Sequence, residues 1–377
     1  MNESTKREQK PVIFLICFFL SVVGKICAQG PPMGSLFGSV IDDSTKAPVI
    51  SANIFLANTL TGTTSDQEGK FELKNIPVGS YQVVVSMVGY NRHIQDIMIG
   101  HDARDALLIS LKPRMIQSAA VEVTAEEPTG WKEKFKFFER EFLGTTKNAE
   151  KCKIINPEIL DFRGEGGSTF FEVMVPEKPL VIENRALGYR IEYILQTFQL
   201  RSKELIYEGV PKFSVLQADN IGEAEEWQEN QRKAYFGSFR HFLASLYLGT
   251  WEEESFRAYR KQEIASTYKE EIRPGQIVKR TPMEGFMRLT FSGYLEVTYT
   301  KEDPDPAYDQ FRGRWTIATP GGQPRRTSDQ TSWFTLLRPD VLVDANGRIF
   351  GNFSSEVSGY WAFERFAEVV PLEYKPK

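Results

Sequence analysis

Cysteine is nearly missing from this chain and histidine is as scarce, with three of each in 377 residues. Cys17 and Cys27 fall within the first 28 residues, so Cys152 stands alone in the remainder and no internal disulfide can form there. A fold without such staples must hold itself by burying apolar surface, which a chain of this length does in two or three domains. His93, His101 and His241 show no H-x-x-E or H-E-x-x-H spacing, which argues against zinc hydrolysis. Positive charge is not in excess: the net charge is −4 and the pI about 5.7. A nucleic-acid-binding domain is expected to show a basic face or a pI above about 9. G-x-S-x-G, the P-loop, the dinucleotide fingerprint and the EF-hand loop are all missing, so no catalytic residue, metal site or cofactor is expected from motifs.

Long apolar runs are also missing. The longest, Val12–Val23, is too short to span a bilayer, which takes about 20 residues. It follows Lys6, Arg7 and Lys10 and precedes the small Ala28, so residues 1–28 read as a secretory signal peptide. Cys27 raises a lipoprotein alternative, but Ile26 before it is not the small residue a lipid-attachment site wants. Without residues 1–28 the net charge becomes −6. The expectation is an exported protein, periplasmic or associated with the outer membrane, with no transmembrane segment once the leader is cut.

Aromatic residues, by contrast, are abundant, with 27 Phe and 14 Tyr, and Gly and Pro punctuate short alternating runs. Leu36, Gly38 and Val40 alternate with Phe37, Ser39 and Ile41; Ile54 and Leu56 share a face; Phe71 and Leu73 follow. Tyr81, Val83, Val85 and Met87 then line one face of a longer strand, with Gln82, Val84, Ser86 and Val88 on the other. With Ile97, Ile99, Leu107, Ile109 and Leu111 this gives about seven strands over residues 34–113, the pattern of a β-sandwich.

The stretches GSVIDDSTKAPVISANIFL and TSDQEGKFELKNIPVGSYQVVVSMVGY resemble the carboxypeptidase-like regulatory domain, a transthyretin-like sandwich of exported Bacteroidetes proteins. The resemblance implies an accessory fold that carries no catalytic residues. Residues singled out here have structural explanations. Asp66 and Glu68 suit a turn cap better than a calcium site, which takes about six to eight oxygens. Gly69 and Gly79 are expected to supply backbone conformations closed to other residues. Tyr90 is expected to close the sandwich and hydrogen-bond through its hydroxyl, ahead of a ligand-stacking role. His93 and His101 read as surface residues.

Residues 114–130 read as a linker, with a strand at Ala120–Thr124, and residues 131–377 as a mixed, mostly β (α+β) domain with two amphipathic helices. Trp131, Phe135, Phe138 and Phe142 make one helical face that Gly144 ends. Trp227, Tyr235, Phe239, Phe242 and Leu246 make the second, capped by Asp219 or Asn220 and stopped by Gly249. Lys301–Gly313 and Gly321–Ser328 read as polar loops, and Asn346-Gly347 as a hairpin turn. Leu187-Gly188-Tyr189, Ser292-Gly293-Tyr294 and Ser358-Gly359-Tyr360 echo one another, as do two L-G-T endings, too briefly to establish duplication. FLGTTKNAEKCKIINP, PLVIENRALGYRIEY and GYWAFER resemble the region that follows the same module in exported Bacteroidetes proteins, a region with no assigned activity.

Cys152, flanked by Lys151 and Lys153, suits an inward-facing small hydrophobe better than a nucleophile. Glu172, Glu183, Glu192 and Glu296 are the strand carboxylates to which glycoside hydrolysis would turn, although solvated or paired acids are the commoner outcome among 50 acidic residues. The function expected is therefore a non-enzymatic binding or assembly module for an envelope protein or a glycan. The alternative is a carboxylate-dependent hydrolase acting on carbohydrate or peptide through residues 131–377.

Overall fold

The computed structural model describes residues 32–101, 106–114, 130–167, 169–176, 178–202, 204–315, 329–351 and 353–376. The leader, the Ala120–Thr124 strand, most of the linker and the 321–328 loop lie outside the described residues.

The expected period-2 pattern becomes seven strands: β1 (Met33–Asp42), β2 (Asn53–Leu56), β3 (Gly62–Thr64), β4 (Lys70–Pro77), β5 (Gly79–Ser86), β6 (His93–Ile99) and β7 (Leu107–Leu111). They form two sheets, β4-β1-β7 and β3-β2-β5-β6, with β1 and β7 parallel. The alternating residues Val40, Ile54, Leu56, Phe71, Val83 and Ile109 fill the space between the sheets. Strand β5 is buried on both faces. Its outward Val84 joins Phe55 and Ala57 against Ile194 and Val210 of the next body. That is why Gln82, Val84 and Ser86 follow no simple polar-out rule.

The second body begins with helix α1 (Trp131–Leu143), whose Phe138 and Phe142 are fully buried and which Gly144 ends. After α2 (Lys147–Glu150) come β8 (Cys152–Ile154), β9 (Asp161–Gly164), β10 (Phe170–Met174), β11 (Leu180–Asn184) and the long hairpin β12 (Tyr189–Arg201) and β13 (Glu204–Val215). All six strands form one sheet, and α1 packs its aromatic face on it through Phe138 against Phe198 and Phe142 against Tyr193.

The expected second helix is two helices. Helix α3 (Ile221–Tyr235) starts at Asn220, whose Oδ1 accepts the Glu223 N–H, and α4 (Phe239–Leu248) starts at Ser238. Between them Gly237 has φ +77°, and its N–H donates to His241 Nδ1, which breaks the helix. The third body then holds β14 (Phe256–Lys261), β15 (Glu270–Glu271), α5 (Pro274–Ile277), β16 (Val278–Arg280), β17 (Phe286–Leu289) and β18 (Tyr294–Tyr299). After these come α6 (Tyr308–Trp315), β19 (Gln330–Leu336), β20 (Val341–Asp344), β21 (Ser355–Gly359) and α7 (Tyr360–Phe363). Its sheets run β15-β14-β18-β19-β21 and β16-β17-β20 around Phe242, Trp251, Leu289, Val297 and Phe334. The polar loop expected at Lys301–Gly313 runs into α6 from Tyr308 on, because Tyr308 and Phe311 bury themselves against Tyr360 and Phe363. The G-Y echoes are one local device used three times: Gly188, Gly293 and Gly359 have φ +74°, +76° and +79°, and each following Tyr opens an element.

A buried polar junction ties the bodies together. Asp344 is fully buried; its Oδ2 accepts Ser80 N–H at 2.8 Å and Ser80 Oγ–H at 2.9 Å, and its Oδ1 accepts the N–H groups of Asn346 and Arg348. Asn346 Nδ2 donates to Val78 O across the same boundary. Gly79 lies under this contact. Contrary to the expectation of a special backbone conformation, its φ is not positive; a Cβ there would sit 2.6 Å from Asn346 Nδ2 and 2.9 Å from Asp344 Oδ2. Gly69 does have a left-handed φ, +73°. The segment after α7 threads all three bodies. Phe366 and Val370 enter the second core, and Leu372 enters the sandwich core. Arg240 holds this segment by donating to the carbonyls of Pro371, Leu372 and Tyr374, and it donates also to Asn346 O after β20.

Candidate functional site

Where the second and third bodies meet, a cleft of about 570 Å³ opens. One wall comes from α2 and α3, which contribute Lys147, Asn148, Asn230, Arg232 and Lys233. The other comes from the turn after β18 and the segment from α7 onward, which contribute Glu302, Asp303, Asp305, Glu364 and Glu368. Gln330, the first residue of β19, lies at its lining with Tyr360. Among the described lining residues there is no Ser, Cys or His.

The acids differ in their partners. Glu368 accepts hydrogen bonds from the Thr146 hydroxyl and from Asn148 Nδ2 at 2.7 Å. Burial raises its pKa; those two bonds oppose the shift and the Asp305 charge adds to it. Glu302 lies 3.9 Å from Arg232, a loose pair, and burial raises its pKa also. Glu364 has no hydrogen bond or ion pair from its side chain among the described residues. Burial pushes its carboxyl well above the usual range, and the Glu368 and Glu302 charges push it further. Glu364 and Glu368 also line a smaller cavity of about 240 Å³ beside Phe239, Trp361 and Val370. Gln330 is 6% exposed, and its Oε1 has no hydrogen-bond partner among the described residues.

The four strand carboxylates do not come together. Glu172 accepts from Gln199, Glu183 pairs with Arg190 at 2.5 Å, and Glu192 is exposed on β12. Glu296, in the third body, is held by Lys261 and Lys269 at 3.1 and 2.7 Å. Pairing of this kind marks structural acids. Cys152 is half-buried with Sγ 3.4 Å from Asn148 O, and burial pushes its thiol up, against any nucleophilic role. The histidines are dispersed: His93 faces Gln95, His101 is exposed, and His241 is enclosed by Tyr235, Phe236 and Phe256. Asp66 caps its own turn by accepting from Glu68 and Lys70 N–H. Tyr90 donates to Asp42 at 2.8 Å and packs against the sandwich core. No group of three His, Cys, Asp or Glu placed to hold a metal occurs among the described residues.

Glu302, Glu364 and Glu368 were not singled out from sequence. A signal existed in Y-W-A-F-E-R-F-A-E, where two glutamates four residues apart interrupt an aromatic run.

Residues 36–123 match the family model of the CarboxypepD_reg-like domain. The N-terminal sandwich is therefore similar to a CarboxypepD_reg-like domain. Such a domain is of a regulatory, non-catalytic type. No curated protein matches the chain by sequence. Among solved structures, a streptococcal ancillary pilin is similar at 17% identity over 22% of this chain and 30% of its own, with a TM-score of 0.21. The TIE protein of Bacillus anthracis is similar at 14% identity over 50% and 32%, TM-score 0.20. A candidate carbohydrate-binding protein from Bacteroides uniformis is similar at 9% identity over 48% and 80%, TM-score 0.19. The chain thus spans about a third of the length of the first two, and scores this low establish no shared overall fold. No helix among the described residues is long and apolar enough to cross a membrane.

Proposed function

We propose that the protein is an exported, non-enzymatic component of the bacterial envelope that binds or assembles with a protein or glycan partner. The observation that supports it is the cleft between the second and third bodies. It offers a carboxyl group, Glu364, that the described residues leave without a hydrogen bond or ion pair, yet brings no Ser, Cys or His to its described lining. The regulatory-type sandwich is keyed to the third body through Asp344, which accepts from Ser80. Retention of envelope proteins in crosslinked pull-downs, or of oligosaccharides on glycan arrays, is the expected result. Absence of both, with turnover of a defined substrate, overturns it.

One feature favours a second reading, a carboxylate-dependent hydrolase: Glu364 carries a raised pKa, as a general acid requires. Chromogenic glycosides and peptides test it, with Glu364→Gln as the control. Turnover abolished by that change supports the hydrolase.

A further inference from the structure

We propose that the elbow between α3 and α4 is an acid-released latch, held shut at neutral pH by the hydrogen bond from Gly237 N–H to His241 Nδ1. What it frees is the end of α3, which supplies one wall of the cleft. The latch stands whether or not the cleft takes a partner, because its readout is amide exchange and not binding.

The bond and a charge on the ring exclude each other. A neutral imidazole carries one N–H and one acceptor nitrogen. The Gly237 N–H, 3.1 Å away, occupies the acceptor, so Nδ1 is the nitrogen that must take a second proton. Once protonated, Nδ1 is a donor facing a donor, and the bond is lost. Gly237 is a junction for three elements besides α3. Its N–H goes to α4, its carbonyl accepts Trp361 Nε1–H of α7 at 2.8 Å, and Gln330 of β19 packs against it. Its φ of +77° makes it the hinge about which the last turn of α3, with Arg232 and Lys233, can swing.

Few groups face the ring. Tyr235, Phe236, Phe256 and Tyr299 pack around it and exclude water. Glu254, before β14, lies 3.5 Å from Nε2, and Lys301, after β18, lines the same cavity of about 260 Å³. Glu254 favours a charged ring, but its side chain is 37% exposed and its charge is screened. Burial and then the Lys301 charge outweigh it and lower the His241 pKa from 6.5 to about 4. The closed latch therefore favours the neutral ring. It is fully held above pH 6.5 and loosens as pH falls from there towards 4.

Hydrogen exchange of the Gly237 amide in the full chain, followed by NMR or by mass spectrometry of peptides across Tyr235–Phe242, tests the latch. Corrected for the intrinsic exchange rate, protection should fall about twentyfold between pH 7 and pH 5, the ratio set by pKa values of 6.5 and 4. The raised carboxyls of Glu302, Glu364 and Glu368 gain protons over the same range, so the deciding quantity is the difference from a variant that cannot charge. His241→Gln keeps an acceptor and takes no proton; its protection should change by less than about threefold. Lys301→Gln, at an exposed position, leaves the histidine in place and should show a smaller fall than the wild type. Circular dichroism at both pH values shows whether each chain is folded. No fall in the wild type, an equal fall in His241→Gln, or a fall shared by the amides of β12 and β18, which marks global unfolding, overturns the latch. If His241→Gln does not fold, a fall in Lys301→Gln as large as in the wild type overturns it, and a smaller one supports it.

Discussion

His241 sits in a box of rings. Its Nδ1 accepts the Gly237 N–H at 3.1 Å, so the proton of the neutral ring lies on Nε2, 3.5 Å from Glu254. Burial, and then the Lys301 charge, lower its pKa from 6.5 to about 4. The folded state therefore favours the neutral ring. Its contribution is complete above pH 6.5 and is lost as pH falls from there towards 4, the unfolded chain taking the proton first. A shift of this size corresponds to about 3 kcal/mol. Urea unfolding at pH 7 and pH 4 should show a loss of stability larger by about that amount in the wild type than in His241→Gln; equal losses would refute it. Gly79 yields a second prediction. Replacing it with Ala drives a methyl into Asp344 and Asn346 and should cost about 1–3 kcal/mol in thermal or urea unfolding. The sequence marks Gly79 as special but for the wrong reason, because the partner that crowds it lies far along the chain. The same holds for the site. Strand carboxylates draw notice by their pattern, whereas Glu302 owes its setting to tertiary contacts that no local spacing encodes, and Glu364 showed only as an acid breaking an aromatic run.

At the scale of elements, the break between α3 and α4 rests on Gly237. A Cβ there would meet Gln330 Oε1 at 2.6 Å and a Tyr299 ring carbon at 2.8 Å, in addition to a left-handed backbone. Gly237→Ala should therefore destabilise by about 2–4 kcal/mol in chemical denaturation. It should also displace Gln330 and weaken ligand binding in the cleft. Apolar spacing across Trp227–Leu246 shows two helices as one, since both sides of the break keep near-helical phase. The sandwich was legible because its turns and period-2 strands are local. Helix α6 was not, because Tyr308 and Phe311 become apolar anchors only once α7 lies beside them.

At the scale of the whole molecule, the three cores are not independent. The segment from Phe366 to Tyr374 contributes to two of them, and Arg240 clasps its carbonyls. Leu372→Ala removes a side chain that is 7% exposed within the sandwich core and should cost about 2–4 kcal/mol. Differential scanning calorimetry should show one transition in the wild type. In the variant, an earlier unfolding of the sandwich should separate from the rest, and a single unshifted peak would refute the coupling. This geometry also sets an order in time. All seven sandwich strands have been synthesised by Leu111, yet the Leu372 that completes their core follows both other bodies. The contacts of Val84 with Ile194 and of Ser80 with Asp344 involve residues made before this segment, so it adds the final tie and not the first one. A chain cut or stalled before Phe366 would hold every strand and still lack the clasp, which makes that short segment the point where folding quality is decided.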